Sequence, residues 1–183
     1  MALRSPISVS TLPSASKNAV QVVHSRETIW LANAYISACE TLCESMITDC
    51  TESDPDKALV LLNLCHHSLE LFYKAGLNSQ TGTYRKDHKL LQLEIEFIRA
   101  FPNCNVKIPE VLREALLVSA PLLPEGSEAD FERVVHERFR YHTQRNGRPW
   151  PVLDQFDIED FLSSVIQLKH AFLPFISSIG WPH

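Results

Sequence analysis

Glycine is scarce in this sequence, and long apolar runs are missing from it. Five glycines in 183 residues are few for a chain that would need many hairpin turns, so a sheet-rich fold is disfavoured. No apolar run approaches the roughly 18 residues that a membrane-spanning helix needs, so we expect no membrane association. A glycine-rich phosphate loop and an internal repeat are also absent, which removes the usual sequence signs of a phosphate-cradling enzyme.

The sequence also has no excess of positive charge and no metal-ligand spacing. The net charge of −5 argues against a general polyanion binder, so any nucleic-acid site must be local. Cysteines and histidines do not occur at the spacings of metal sites. We therefore expect no metal, no cofactor and a cytoplasmic protein whose cysteines are reduced thiols in the core. These are Cys39, Cys43, Cys50, Cys65 and Cys104.

Apolar residues recur at helical spacing through most of the chain. The pattern predicts a first helix over 27–50 and a second over 55–75, which Asp54 and Pro55 would begin. The second segment is apolar over most of its circumference. A helix of that kind is expected to be buried on all sides, which places it at the centre of the fold.

Three further helices are predicted from start and stop signals. Asp87 can cap a third helix that Pro102 closes, and Pro109 stands at the start of a fourth. Asp157 can cap the last helix, which Pro174 should kink or end. The fold expected is all-α, an antiparallel bundle of about five helices.

The remaining segments are predicted to be an arm, a loop and a tail. Residues 1–26 are interpreted as an N-terminal arm, 27–178 as the helical domain and 179–183 as a C-terminal tail. Before the last helix, residues 130–141 could form a short helix. The turn and proline signals that follow it indicate an ordered loop.

The second helix carries a polar stripe on its otherwise apolar surface. His67, Glu70 and Lys74 recur at intervals of three and four residues, so they share a helix face. Because burying an unpaired charge is costly, these side chains must either reach solvent in a cleft or be satisfied internally. The plainer alternative is a surface pair of Glu70 and Lys74 that contributes a few tenths of a kcal/mol.

Three short strings resemble the HEPN domain family. HSLELFYKAGL at 67–77 is similar to the central HEPN helix, and HKLL at 88–91 is similar to the start of the helix that follows. FRYH at 139–142 stands where many members carry an Arg-Tyr signature before the final helix. By their order and spacing, the strings extend the resemblance to roughly residues 27–178. The resemblance implies an all-helical fold, a homodimer, and a metal-independent endoribonuclease or an inactive binding domain of a toxin–antitoxin or antiviral system.

The chain departs from the catalytic members of that family at the residues that matter most. Those members carry an arginine, four to six residues and then a histidine, and no pair in this sequence has that spacing. Arg138 and His142 have three residues between them and would share a face if their segment is helical. In an active protein His142 would move protons while Arg138 or Arg140 stabilised the phosphorane charge. A standard HEPN nuclease is therefore not expected.

An arginine-rich segment is the other candidate for a nucleic-acid site. Residues 133–148 hold five of the ten arginines and a single acid, Glu137, which gives the segment a charge of +4. It could seat a phosphate backbone while Tyr141 stacks on a base. Alternatively, its arginines pair with nearby acids. The residues predicted to bind RNA or another ligand are His67, Glu70, Lys74, Arg133, Arg140, Tyr141, Arg145 and Arg148.

Three functions stay open at this point. The first is a HEPN-like domain that binds RNA, a nucleotide or a partner protein. The second is a metal-independent endoribonuclease that uses His142 with Arg138 or Arg140. The third is an inert dimerisation or adaptor bundle. The sequence leaves it uncertain whether the protein is an enzyme.

Overall fold

The computed structural model describes residues 14–50, 55–82, 88–117 and 156–178, and nearly all of these residues are helical. No strand occurs in these ranges, so the all-α prediction is confirmed. The predicted short helix at 130–141 and the loop after it lie outside the described residues. The five helices are α1 (Ser14–Thr48), α2 (Pro55–Thr81), α3 (Leu90–Ala100), α4 (Glu110–Leu117) and α5 (Ile158–Ser178).

The second helix lies at the centre of the bundle, as predicted. α1 packs along α2, α3 and α4 pack against α2, and α5 packs against α1. Aromatic rings from three helices meet in the core, where Phe72 stacks on Phe172 with ring centroids 3.9 Å apart. Phe97 of α3 and Phe175 of α5 complete this cluster, with centroids 5.1 Å apart. Its fully buried rings supply a large share of the apolar area that stabilises the fold.

The start of α5 follows its sequence signal. The Asp157 carboxylate accepts hydrogen bonds from the backbone N–H groups of Glu159, at 2.9 Å, and Asp160, at 3.1 Å. This is the expected N-cap. Pro174 is predicted to kink or end the helix; it does not end it, because α5 continues through it to Ser178. Pro174 is exposed, so water can hydrate the carbonyl that loses its helical partner.

Two helices are longer than their sequence patterns indicated. α1 begins at Ser14, so half of the region interpreted as an arm is helix. α2 continues past Ala75 to Thr81 and ends at Gly82, whose φ of 66° is left-handed. The Gly82 N–H donates to the Asn78 carbonyl at 2.8 Å, which satisfies one of the last carbonyls of the helix.

Gly76 directly follows the residue at which the second helix is predicted to end. In the structure it lies inside α2 and serves packing, because a Cβ at this position would come within 2.5 Å of the Phe97 ring and 3.1 Å of Phe175. A glycine inside a helix costs roughly 1 kcal/mol relative to alanine. Here that cost permits the close approach of the aromatic cluster.

The cysteine prediction is only partly correct. Cys39, Cys43 and Cys65 are buried between α1 and α2, and Cys39 Sγ lies 3.4 Å from the Leu61 carbonyl oxygen as a weak hydrogen-bond donor. Burial raises the pKa of the Cys65 thiol. Cys104 is half-buried, but Cys50 is exposed just after α1, with a positive φ of 52°. Cys50 is therefore not a core residue.

Candidate functional site

Two of the three side chains of the polar stripe on α2, Glu70 and Lys74, are buried. Lys74 Nζ donates to Glu70 Oε1 at 2.9 Å, and both side chains are only 2% exposed. α1 packs along α2, and Ser68 of α2 donates from Oγ to the Ala32 carbonyl of α1 at 2.7 Å. The alternative of a solvent-exposed Glu70–Lys74 pair is therefore wrong. A buried ion pair needs good geometry and further hydrogen bonds to offset its loss of hydration.

Two histidines surround the same carboxylate. His88, which precedes α3, has its Nδ1 at 2.8 Å from Glu70 Oε1, and its side chain is 58% exposed. His67 Nδ1 lies 3.8 Å from Oε2, and this side chain is 31% exposed. That distance is too long for a hydrogen bond. Among the described residues, buried Oε2 has no hydrogen-bond partner, so a small movement of His67 would provide one. We call Glu70, Lys74, His67 and His88 the Glu70 cluster.

The neighbours of Glu70 in this cluster keep the Glu70 carboxyl group ionised. Burial by itself would raise the pKa of Glu70, but the neighbouring His67 imidazole and Lys74 ammonium lower it by more. The pKa of Glu70 therefore lies well below its ordinary value. An ionised carboxylate only accepts hydrogen bonds, so His88 must carry its hydrogen on Nδ1. When that ring is neutral, its lone pair is on Nε2.

An aromatic side chain of α1 borders this cluster. Tyr35 meets His67 edge to face, with ring centroids 4.7 Å apart. Leu31 lies one turn before Tyr35 and is 47% exposed, and the neighbouring Trp30 is 82% exposed. The half-exposed rings of His67 and Tyr35 offer flat apolar faces on which a nucleobase or a partner side chain could pack.

A second buried acid has a structural role. Glu94 of α3 accepts from the backbone N–H of Ile108 at 2.7 Å and from Arg113 at 2.6 Å. These bonds fix the connection between α3 and α4. Tyr73 donates to the Val106 carbonyl in the same connection at 3.4 Å. Since Glu94 receives a donor at each oxygen, the site needs no ligand to be satisfied.

The structure brings together three of the predicted site residues. His67, Glu70 and Lys74 share one cluster, in which Glu70 and Lys74 are too buried to touch a large ligand. The other predicted residues lie outside the described residues, so their relation to the cluster stays a prediction. They are Arg133, Arg138, Arg140, Tyr141, His142, Arg145 and Arg148.

His88 is the member of the Glu70 cluster that sequence reasoning did not select. It stands 18 residues from Glu70, and no helical periodicity relates the two positions. A signal was nevertheless present, because Arg85, Lys86 and Lys89 lie within three positions of His88 in the sequence, with Asp87 the one acid among them, in a chain of negative net charge. Such a local excess of cations could have marked the segment as a candidate for anion binding.

An open groove of about 580 Å³ lies between the loop after α3 and the second half of α5. Phe101, Pro102, Pro174 and Phe175 form its apolar wall, and the half-buried Cys104 lies among them. Burial raises the pKa of the Cys104 thiol, which disfavours the reactive thiolate. The lining holds no charged side chain. The Glu70 cluster is therefore the better candidate for chemistry.

The described residues contain neither a candidate metal site nor a candidate membrane span. The described residues contain no group of three or more His, Cys, Asp or Glu side chains that could hold a metal ion. Within the same ranges, none of the helices combines the length and the apolar character needed to cross a membrane. No protein-family model, curated protein or solved structure matches the chain.

Proposed function

We propose that this chain is a HEPN-like helical domain that binds single-stranded RNA on the surface formed by His67 and His88. The observation that carries the proposal is the Glu70 cluster, in which one buried carboxylate faces two solvent-accessible imidazoles. Imidazoles donate hydrogen bonds to phosphate oxygens, most strongly when they are protonated. The resemblance of HSLELFYKAGL and HKLL to HEPN domains supports the same surface, since both strings contribute to it.

Charge and aromatic side chains support RNA over other ligands. Three cations lie among residues 85–89, next to His88, and the segment 133–148 carries a charge of +4. Phosphate contacts from such segments would give affinity without base selectivity. Tyr35, which contacts His67, could stack on an unpaired base, and the exposed Trp30 offers a second ring on the same helix. Glu70 and Lys74 do not touch RNA in this proposal; they hold the imidazoles in place.

A binding titration with a labelled single-stranded RNA tests the proposal. We expect affinity to fall steeply with salt, because binding would release counterions from the phosphates. The double substitution His67→Ala and His88→Ala should weaken binding by about tenfold or more, as expected when one or two charge-assisted hydrogen bonds are lost. Fluorescence anisotropy at two salt concentrations measures both effects.

The matched control is His170→Ala, which removes an exposed histidine from α5 and should leave the affinity unchanged. Thermal unfolding should show that all variants are folded. Absence of RNA binding by the wild-type chain, or equal affinity in the double variant, would overturn the proposal. Binding of a free mononucleotide with the same affinity would replace RNA by a nucleotide as the ligand.

A second candidate is an adaptor that binds a partner protein or a second copy of the chain. The exposed Trp30 and Leu31 favour it, because aromatic side chains are frequent at the centres of protein interfaces. In that case Trp30→Ala should dissociate the complex while salt has little effect. Light scattering of the wild type and this variant separates the adaptor from an RNA-binding monomer. The endoribonuclease built on Arg138 and His142 stays a prediction.

A further inference from the structure

α1 and α2 run side by side in opposite directions, and the contacts between them fix their register. Asn78 of α2 donates to the Ser25 hydroxyl of α1 at 2.6 Å. Further along α1, the Tyr35 ring meets the ring of His67, which lies earlier in α2. Residues one and two turns away from Tyr35 therefore lie beside residues at equal steps from His67, counted in the opposite direction.

The residues in line with Tyr35 and His67 are apolar on both helices. They follow steps of four, three and four residues, which place side chains in one row along a helix. The register pairs the two rows across the helices as Leu31 with Leu71, Tyr35 with His67, Ala38 with Leu64, and Leu42 with Val60. We call these eight residues the α1–α2 ladder.

The inner side of the α1–α2 ladder packs on the core, and its outer side reaches solvent. Leu42, Leu64 and Leu71 are partly buried against core residues. At opposite ends of the ladder, Leu31 is 47% exposed and Val60 is 48% exposed. The ladder therefore presents an open apolar surface that is roughly 16 Å long, the rise of three helical turns.

Charge is nearly absent along the ladder and positive beside one part of it. Among the eight residues, only His67 can carry a charge. Next to it, Glu70 and Lys74 neutralise each other, and His88 contacts the same carboxylate. Residues 85–89, which include His88, have a net charge of +2 with histidine neutral. An apolar ligand that brings negative charge to this part of the ladder is electrostatically complementary to it.

We propose that the α1–α2 ladder docks an amphipathic helix of another protein, with carboxylates that lie beside His67 and His88. A third helix that lies between two antiparallel helices inserts its side chains among theirs, as in a helical bundle. To match the ladder, the partner needs an apolar row at steps of three and four residues over about three turns. A helix in this position covers His67 and excludes RNA from it, a consequence that rests on the proposed function.

A labelled synthetic peptide tests docking on the full chain in the absence of RNA. The peptide has about 16 residues, which is long enough to span the ladder. It carries leucines in one row at steps of three and four residues and glutamates near one end. A peptide of the same composition in scrambled order has no apolar row. By fluorescence anisotropy, we expect saturable binding of the first peptide and no binding of the second.

Substitutions at the two open ends of the ladder locate the binding surface. Leu31→Glu and Val60→Glu should each weaken peptide binding by about tenfold or more, because a charge would be buried in an apolar contact. Ile95→Glu is the matched control, since Ile95 is 52% exposed on α3, and it should bind like the wild type. Trp30→Ala, next to Leu31 in the sequence but outside the ladder, should also leave the affinity unchanged. Thermal unfolding should show that every variant is folded.

A third peptide tests the expected charge of the partner. It carries lysines in place of the glutamates and should bind about tenfold more weakly at low salt. The difference should shrink as salt screens the charges. Equal affinity of the glutamate and lysine peptides at low salt would contradict an acidic partner.

The remaining outcomes separate this inference from the proposed function. Failure of the wild type to bind the amphipathic peptide, or unchanged binding by Leu31→Glu and Val60→Glu, would overturn the docking surface. Self-association of the wild type that both variants abolish would overturn it too, because a second copy would then cover the ladder. Bound 2′-O-methyl RNA, which resists nucleases, should be displaced by the peptide, and simultaneous binding would contradict the shared surface. A chain that binds the peptide but no RNA would overturn the proposed function and leave the docking surface standing.

Discussion

Glu70 and Lys74 illustrate how a single ion pair can shape a helical core. Each charge loses most of its hydration at 2% exposure, a cost that their mutual attraction offsets only with the help of additional hydrogen bonds. His88 provides one of these bonds. Replacing both charges by apolar groups is often harmless to a fold, whereas removing one leaves the other unpaired. A retained pair of this kind is a candidate for function.

Single and double substitutions test this asymmetry. Lys74→Met should lower the free energy of unfolding by about 3–5 kcal/mol, because it leaves the Glu70 carboxylate buried without its main counter-charge. The double variant Glu70→Met and Lys74→Met should recover most of that loss. Urea denaturation measures both. A double variant that is as unstable as the sum of the single variants would contradict the account of a coupled buried pair.

The lowered pKa of Glu70 makes the stability of the fold depend on pH. A carboxyl group whose pKa is lowered in the folded state stabilises the protein at any pH above the group's ordinary pKa of 4.5. That stabilisation is lost as the pH falls below 4.5 towards the folded value. Between about pH 6 and about pH 3, the wild type should therefore lose more unfolding free energy than the double methionine variant. Denaturation series at several pH values check this, and parallel curves would contradict it.

Spacing on a helix predicted which polar residues share a face, but not how deeply they lie. His67, Glu70 and Lys74 follow from intervals of three and four residues. The burial of Glu70 and Lys74 depends on packing between helices, and the contact of His88 with Glu70 bridges 18 positions. Tertiary contacts of this kind leave no periodic trace in a single sequence. Three residues of the Glu70 cluster were therefore predicted from the sequence, whereas their burial and the contact with His88 were not.

At the scale of elements, apolar periodicity located the helices while packing decided where they end. The cap at Asp157 was predictable because it depends on neighbouring residues alone. The passage of α2 through Gly76 was not, because it depends on the Phe97 and Phe175 rings of two other helices. A glycine that would be expected to end a helix instead permits close packing.

Gly76→Ala tests that explanation. Alanine favours the helix by about 1 kcal/mol, but its methyl group would meet Phe97 at 2.5 Å. We expect a net loss of about 1–3 kcal/mol of unfolding free energy from overpacking. Combining Gly76→Ala with Phe97→Leu should give a smaller loss than the two single losses added together. Additive losses, or a stabilised Gly76→Ala variant, would contradict the packing role.

The whole molecule is a helical bundle whose centre carries both the aromatic core and the polar cluster. Phe72 stands between Glu70 and Lys74 in the sequence of α2, and its ring stacks on Phe172 of α5. Lys169 of α5 pairs with Glu40 of α1, and this ion pair joins the two helices. The fold class and the central position of α2 followed from the sequence. The relation of the cluster to residues 133–148 did not, because a connection that is not periodic carries no signal about where it packs.

The most direct test of the account follows the histidine side chains while RNA is added. Nitrogen-15 NMR of the imidazole rings resolves individual histidines, and single substitutions assign His67, His88 and His170. Adding 2′-O-methyl RNA should shift the His67 and His88 ring signals in proportion to the bound fraction and leave the His170 signal in place. Unchanged His67 and His88 signals at saturating RNA would contradict the claim that the Glu70 cluster forms the RNA-binding surface.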